Sequence, residues 1–305
     1  MLLNCFYWLL NMSITATVAG GIVIILRMIK RIPRKVIMVL WTAPFLRLLI
    51  PFGLRFKFSL MNLVPDEFVR TVEVESYNSK IDLVCANSLR VAGSYHPISL
   101  PADVETIFYS LAYLWLIGFI VFVTGVVLSY RAVMREAGCS ELYKDNLYCS
   151  EKAKSPYVYG IVHPKIILPD SDKGKNIEYI IRHESMHIRR RDNLRRLLCT
   201  IIVCVHWFNP FAWLFLRKFY IDLELSCDES VVKGLNMTER KAYANALVTY
   251  TERPAMLSST FGGAPLKMRV ERIISYKRHS KVAMSAFYVI ASFVVVTLLT
   301  NSISI

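Results

Sequence analysis

From about Thr106 to Tyr130 the chain carries no charged side chain. An apolar run of that length fits a bilayer core, which a helix crosses in about 20 residues. A segment in lipid must satisfy every backbone hydrogen bond internally, so this run is expected as a membrane helix. Three further stretches extend the pattern. Leu2 to about Met28 is apolar apart from a few small polar residues. No basic residue precedes it and it is too long for the apolar core of a signal peptide, so it is expected to remain as a span. Val36–Phe52 is shorter and contains Pro44, Arg47 and Pro51; it is expected as a second span, with neighbouring helices satisfying the backbone groups that proline frees. Val282 to about Thr300 is expected as the fourth. Only 20% of the residues are charged, fewer than soluble domains carry. Seven cysteines, an odd number in a long chain, exclude a disulfide scaffold.

The basic residues orient these spans. Arg27–Lys35 holds five basic residues and no acid, Arg55–Glu105 holds five basic and seven acidic, and Arg131–Lys281 holds 26 basic and 16 acidic. Loops rich in Lys and Arg stay in the cytoplasm. The expected layout is therefore a membrane region at 1–130 with an outer loop at about 55–105, a cytoplasmic domain at 131–281, and a last span at 282–305. Both termini then lie outside. Cys139, Cys149, Cys199, Cys204 and Cys227 are expected as reduced thiols, with Cys85 alone outside.

Within 131–281 stands His183-Glu184-Ser185-Met186-His187. On a helix, positions i and i+4 share a face, so both imidazoles reach one Zn²⁺. Glu184 then lies beside the metal, where it can take a proton from water and pass it to a leaving amine. A hydrolytic zinc needs a third protein ligand and an open position. Downstream, Glu224 and Asp228 are again i, i+4 on a helix: Glu224 is the expected third ligand, and Asp228 is placed to hold a histidine's free N–H. The mostly apolar stretch Leu197–Leu216 between them tests this site. If it crossed the membrane, His183 and Glu224 would lie on opposite sides. Asn209-Pro210 in its middle breaks a helix, so two short buried helices or a re-entrant hairpin are expected.

His183-Glu-x-x-His187, then Trp207-Phe208-Asn209-Pro210, then Asp222-x-Glu224-x-x-Cys227-Asp228 resembles the membrane zinc metallopeptidases of the BlaR/MecR antirepressor type. Ser155–Pro169, punctuated by proline and glycine, is similar to a β segment of the same family. The resemblance implies a mainly α polytopic membrane protein of about four transmembrane helices with a cytoplasmic α+β zincin-like (gluzincin) protease domain. It implies His183, His187 and Glu224 as zinc ligands, Glu184 as catalytic base and Asp228 in support. It also implies a cytoplasmic repressor of the BlaI/MecI type as substrate. Receptors of that family carry a penicillin-binding domain after the last span; the residues here end at Ile305, so direct β-lactam sensing through such a domain is not expected.

Tyr157–Leu168 reads as one or two strands, able to pair with extended substrate or purely structural. His163 and His206 read as structural. The basic runs Arg189–Arg191 and Arg195–Arg196 read as contacts to lipid headgroups rather than to nucleic acid, which is not expected as a partner; a homodimer is left open. Helices are expected at Thr238–Glu252 and Leu266–His279, joined by a flexible linker, Pro254–Pro265, in which self-cleavage is expected because tethering raises its effective concentration at the protease. The rival readings are a membrane quality-control or processing protease, and a non-proteolytic transducer with a structural zinc.

Overall fold

The computed structural model describes residues 2–51, 58, 102–172, 177–251 and 264–300. The readings of the outer loop, Cys85 and self-cleavage in the linker fall almost wholly on residues outside that set. Among the described residues three helices are long and apolar enough to cross a membrane: α1 (Leu2–Met28), α4 (Ala102–Gly138) and α10 (Lys281–Leu299). At 37 residues, α4 is about 55 Å long and runs beyond the expected end at Tyr130.

The second expected span is not one helix. It divides into α2 (Arg34–Leu40) and α3 (Thr42–Leu49), each only about 11 to 12 Å long. Pro44, in the first turn of α3, has no N–H for the carbonyl of Leu40, and its ring would clash there, which favours the break between α2 and α3. Arg47, buried among these apolar residues, caps α10: its Nε donates to the Leu298 carbonyl at 2.9 Å and its Nη2 to that of Thr300 at 2.9 Å. Those carbonyls lack partners within their own helix.

The stretch 197–216 turns back on itself. Helix α6 (Asp192–Val205) ends before His206, and α7 (Pro210–Val232) starts with proline at its first position, where no N–H is needed. The Asn209 side chain accepts from the Phe211 N–H at 2.9 Å, which makes it a helix cap. The tip docks on the spanning helices. Asn209 Nδ2 donates to the Ser13 carbonyl at 3.4 Å and to Thr17 Oγ1 at 3.3 Å on α1. Trp207 Nε1 donates to the Trp115 carbonyl at 3.1 Å, and Trp115 Nε1 to that of Val205 at 2.8 Å. Gly118 allows this approach, since a Cβ there would meet the Trp207 ring at 2.3 Å. His206 is buried, with Nδ1 3.1 Å from the Ile202 carbonyl, in keeping with a structural role.

After α4 comes a four-stranded sheet, β1 (Glu141–Lys144), β2 (Leu147–Ser150), β3 (Tyr157–Tyr159) and β4 (Lys165–Pro169), in the order β1-β2-β4-β3. The β2–β4 pair is parallel and the other two are antiparallel. Cys149, Ile166 and Leu168 pack with Ile177, Ile181 and Ile188, seating helix α5 (Glu178–Arg190) against the sheet. Helix α8 (Met237–Thr251) opens on a capping box: the Asn236 N–H donates to Glu239 Oε2 at 2.7 Å and the Glu239 N–H to Asn236 Oδ1 at 2.9 Å. Helix α9 (Leu266–Ile274) stops short of the expected His279. Ile180, Val231, Val232, Tyr243, Leu247 and Ile273 form the core that joins α5, α7, α8 and α9. A larger core around Trp41, Phe45, Phe215 and Phe219 binds the first half of α7 to α1, α2, α3 and α10. Helix α7 thus runs from the hairpin tip through the larger core, carries Glu224 and Asp228 past the candidate site, and ends in the smaller core.

Candidate metal centre

Helix α5 turns His183 and His187 inward together, and both are buried. Their Nε2 atoms lie 3.1 Å apart. Glu224, from α7, brings Oε2 to 3.6 Å from His183 Nε2 and Oε1 to 3.6 Å from His187 Nε2. A tetrahedral zinc bonded at about 2.0 to 2.1 Å sets its ligand atoms about 3.4 Å apart. These separations fit a single ion.

The far side of each ring is also engaged. His187 Nδ1 is 2.8 Å from Oδ2 of Asp192, which is fully buried. His183 Nδ1 is 2.8 Å from the Tyr243 hydroxyl, which donates to Asp228 Oδ1 at 2.6 Å. Carboxylate and hydroxyl acceptors at Nδ1 hold each ring as the tautomer with a bare Nε2 lone pair. The two Nε2 lone pairs face each other at 3.1 Å and repel unless a positive group lies beside them; in the metal-free protein Arg269 Nη2, 3.3 Å from His183 Nε2, is that group. The donor set therefore suits a divalent metal.

A second set of ligand atoms is also close: His183, His187 and Cys227 offer nitrogen and sulfur atoms within 4.8 Å of one another. Cys227 Sγ, however, lies 3.7 Å from His183 Nδ1, the nitrogen already held by Tyr243, and its thiol donates to the His183 carbonyl at 3.7 Å. Burial, with Glu224 and Asp228 adding, pushes that thiol well above its usual range. Cys227 thus faces the ring nitrogen that Tyr243 holds, whereas Glu224 faces both Nε2 atoms, so the geometry favours the carboxylate.

The charges around Glu224 point the same way. Burial pushes its carboxyl up, but His187, His183, Arg196 and Arg269 outweigh burial and hold it well below the ordinary range. Arg196 donates to Glu224 Oε1. Arg269, on α9, donates from Nε to Asp228 Oδ2 and from Nη2 to Oδ1, both at 2.8 Å. It also brings Nη1 to 3.6 Å from Glu224 Oε2. Glu184 sits between the two histidines in sequence. Burial raises its carboxyl to about 7, with His187 opposing and Glu224 adding. A carboxylate with that affinity for protons suits a general base near neutral pH.

Four side chains expected from the sequence, His183, His187, Glu224 and Asp228, thus come together, and Glu184 is coupled electrostatically to His187 and Glu224. Asp192, Tyr243, Arg196 and Arg269 were not anticipated. Asp192 reaches His187 because Arg191 takes a left-handed conformation, φ 54° and ψ 41°, between α5 and α6. The basic runs are not simply surface charge: Arg196 binds Glu224, and Arg190 Nη2 donates to Ser226 Oγ at 2.6 Å. Beside the site, Asn193 Nδ2 donates to the carbonyls of Val158 and Gly160, each at 3.1 Å. The Val158 carbonyl of β3 and that of Gly160 just beyond it are therefore already engaged. His163 is exposed.

The BlaR1 peptidase M56 family model matches residues 7–274. The chain is 24% identical over 162 residues to the regulatory protein BlaR1 of Bacillus licheniformis, covering 50% of this chain and 27% of that protein. It is 31% identical over 114 residues to the methicillin resistance mecR1 protein of Staphylococcus aureus, covering 35% of this chain and 20% of that protein. It is 30% identical over 112 residues to the regulatory protein BlaR1 of Staphylococcus aureus, covering 35% of this chain and 19% of that protein. The alignments thus span about a quarter or less of these relatives' length.

Proposed function

The chain belongs to the BlaR1 peptidase M56 family, and from that premise we propose that it is an integral-membrane zinc endopeptidase whose active site faces the cytoplasm. The observation that carries this reading is the convergence of His183 Nε2, His187 Nε2 and the Glu224 carboxylate at 3.1 to 3.6 Å. The remaining nitrogen of each ring is fixed by Asp192 or by Tyr243 and Asp228. His183, His187 and Glu224 would hold the ion. Zinc so bound supplies Lewis acidity and a water more acidic than bulk water.

The protein's own groups do the rest. Glu184 accepts the proton of the attacking water and returns it to the nitrogen of the cleaved peptide bond. Asp192 and Tyr243 keep both imidazoles oriented. Arg196 and Arg269 keep Glu224 ionised, and Arg269 also holds the Asp228 carboxylate in place through two hydrogen bonds. A purely structural ion would not need a base such as Glu184, which argues against the non-proteolytic transducer.

The α6–α7 hairpin supports a re-entrant segment that returns Glu224 to the side of His183. The excess of Lys and Arg in 27–35 and 131–281 supports a cytoplasmic domain at 131–281 with both termini outside. The relatives named above are regulatory and resistance proteins, and on that basis we take the substrate to be a cytoplasmic repressor that binds DNA. The test compares membrane and cytoplasmic proteomes of cells carrying the wild type or Glu184→Gln. The reading predicts that one repressor accumulates intact in the variant. Accumulation of many misfolded membrane proteins instead would favour quality control, and identical proteomes would remove the proteolytic reading.

A further inference from the structure

Away from the metal centre, a cavity of about 1240 Å³ opens where the end of α1, the turn into α2, the outer side of α9 and the start of α10 meet. Its lining holds ten lysines and arginines and two glutamates. One of those acids is already committed. Glu229 accepts the backbone N–H of Arg34 at 3.0 Å and that of Lys35 at 3.4 Å, and pairs with Arg272 at 3.5 Å. Behind the wall, Asp222 receives Arg27 at 2.6 Å and Arg34 at 2.9 Å. Even so, Arg27 Nη2 and Arg34 Nε are buried without a hydrogen-bond partner among the described residues. None of Lys30, Arg31, Lys233 and Lys277 forms an ion pair with the described residues, and all four are exposed. So many like charges around one cavity repel one another unless an anion enters.

The lining is also partly apolar. Met28, Ile32, Met284, Phe287 and Tyr288 face the same space. Arg27 and Met28 end α1 and Lys281 begins α10, so the cavity lies at one end of two helices long enough to span. At that depth a bilayer presents its phosphate headgroups, with acyl chains directly beyond. A free phosphate would use the cations and leave the apolar lining without a partner. A phospholipid uses both.

We propose that this cavity binds the phosphate headgroup of an anionic phospholipid, with its glycerol and upper acyl chain against Met28, Ile32 and Phe287. The site is separate from the metal centre and stands whether or not the chain is a peptidase.

The test uses the full chain purified in neutral detergent and titrated with short-chain phosphatidylglycerol, short-chain phosphatidylcholine or inorganic phosphate. Bound lipid is read by native mass spectrometry and by the shift in Tm. Phosphatidylglycerol is expected to be retained and to raise Tm, and the other two probes to do neither at the same concentration. The variant Lys30→Gln/Arg31→Gln/Lys233→Gln/Lys277→Gln should weaken phosphatidylglycerol binding by about tenfold or more. These are exposed side chains without ion pairs among the described residues, so its Tm without lipid should match the wild type. A control that loses the same charge elsewhere, Arg131→Gln/Arg135→Gln/Arg189→Gln/Lys241→Gln, should bind as the wild type does. Equal loss in both variants would overturn the proposal, as general electrostatics would then suffice. Equal binding of phosphatidylcholine would overturn it too. Inorganic phosphate binding as tightly as the lipid would assign the cavity to a free anion instead.

Discussion

Replacing Asp192 with alanine should weaken zinc binding although Asp192 touches no metal. Its Oδ2 lies 2.8 Å from His187 Nδ1 and the residue is fully buried, so truncation removes the charged acceptor that fixes that nitrogen. Without it the His187 ring is free to rotate and to take the other tautomer, which places a proton on Nε2 where the ion must bind. Loss of such a partner lowers metal affinity by about 10- to 100-fold, or about 1.4 to 2.7 kcal/mol. The upper end is expected here, because Arg190 at 3.4 Å and Arg195 at 3.6 Å lose the same carboxylate. Asp192→Asn keeps an acceptor of similar shape and should lie near the lower end. Tyr243→Phe should cost no more than about tenfold, since Asp228 Oδ1 is already 3.4 Å from His183 Nδ1 and can take over. The assay is competition for zinc against a chelating fluorophore, on full-length protein whose metal-free Tm is compared in parallel. A zinc Kd for Asp192→Ala within about threefold of the wild type, in a folded protein, would refute the orienting role.

Burial raises Glu184 from 4.5 to about 7 in the folded, metal-free protein. The folded value exceeds the unfolded one, so the stabilisation from protonation is full below about pH 4.5 and is lost as pH rises through about 7. Metal-free Glu184→Gln should therefore be more stable than the metal-free wild type at about pH 8, by up to about 3 kcal/mol. Thermal denaturation should show this gap closing toward about pH 4.5; a constant gap would contradict it. Gly118→Ala places a Cβ 2.3 Å from the Trp207 ring and should destabilise the protein by about 1 to 3 kcal/mol; an unchanged Tm would mean that the hairpin tip does not dock there. A cysteine at Lys241 should react with an impermeant thiol reagent only after cells are opened, and labelling of intact cells would reverse the orientation.

The half of the site that lies on two helices was legible in the sequence, because a helix repeats on its own scale. His183 and His187, and likewise Glu224 and Asp228, stand four residues apart and so share a face. Asp192 is also close in sequence, but it reaches His187 through the left-handed turn at Arg191, and a non-glycine residue seldom announces such a turn. Tyr243 and Arg269 enter from α8 and α9 by tertiary packing alone and have no local pattern. Arg196 was hidden in a basic run that resembles any membrane-adjacent surface. The apolar character of 36–52 was visible, but composition does not say whether such a stretch continues as one helix. Pro44 favours the break, and the α2–α3 pair packs beside α1 and α10 instead.

X-ray absorption at the zinc edge, on full-length protein loaded with one equivalent of zinc, tests the metal centre most directly. A site formed by His183, His187 and Glu224 predicts two imidazoles and oxygen at about 2.0 to 2.2 Å, with no sulfur. A sulfur shell at about 2.3 Å would place Cys227 on the metal and contradict the assignment of Glu224.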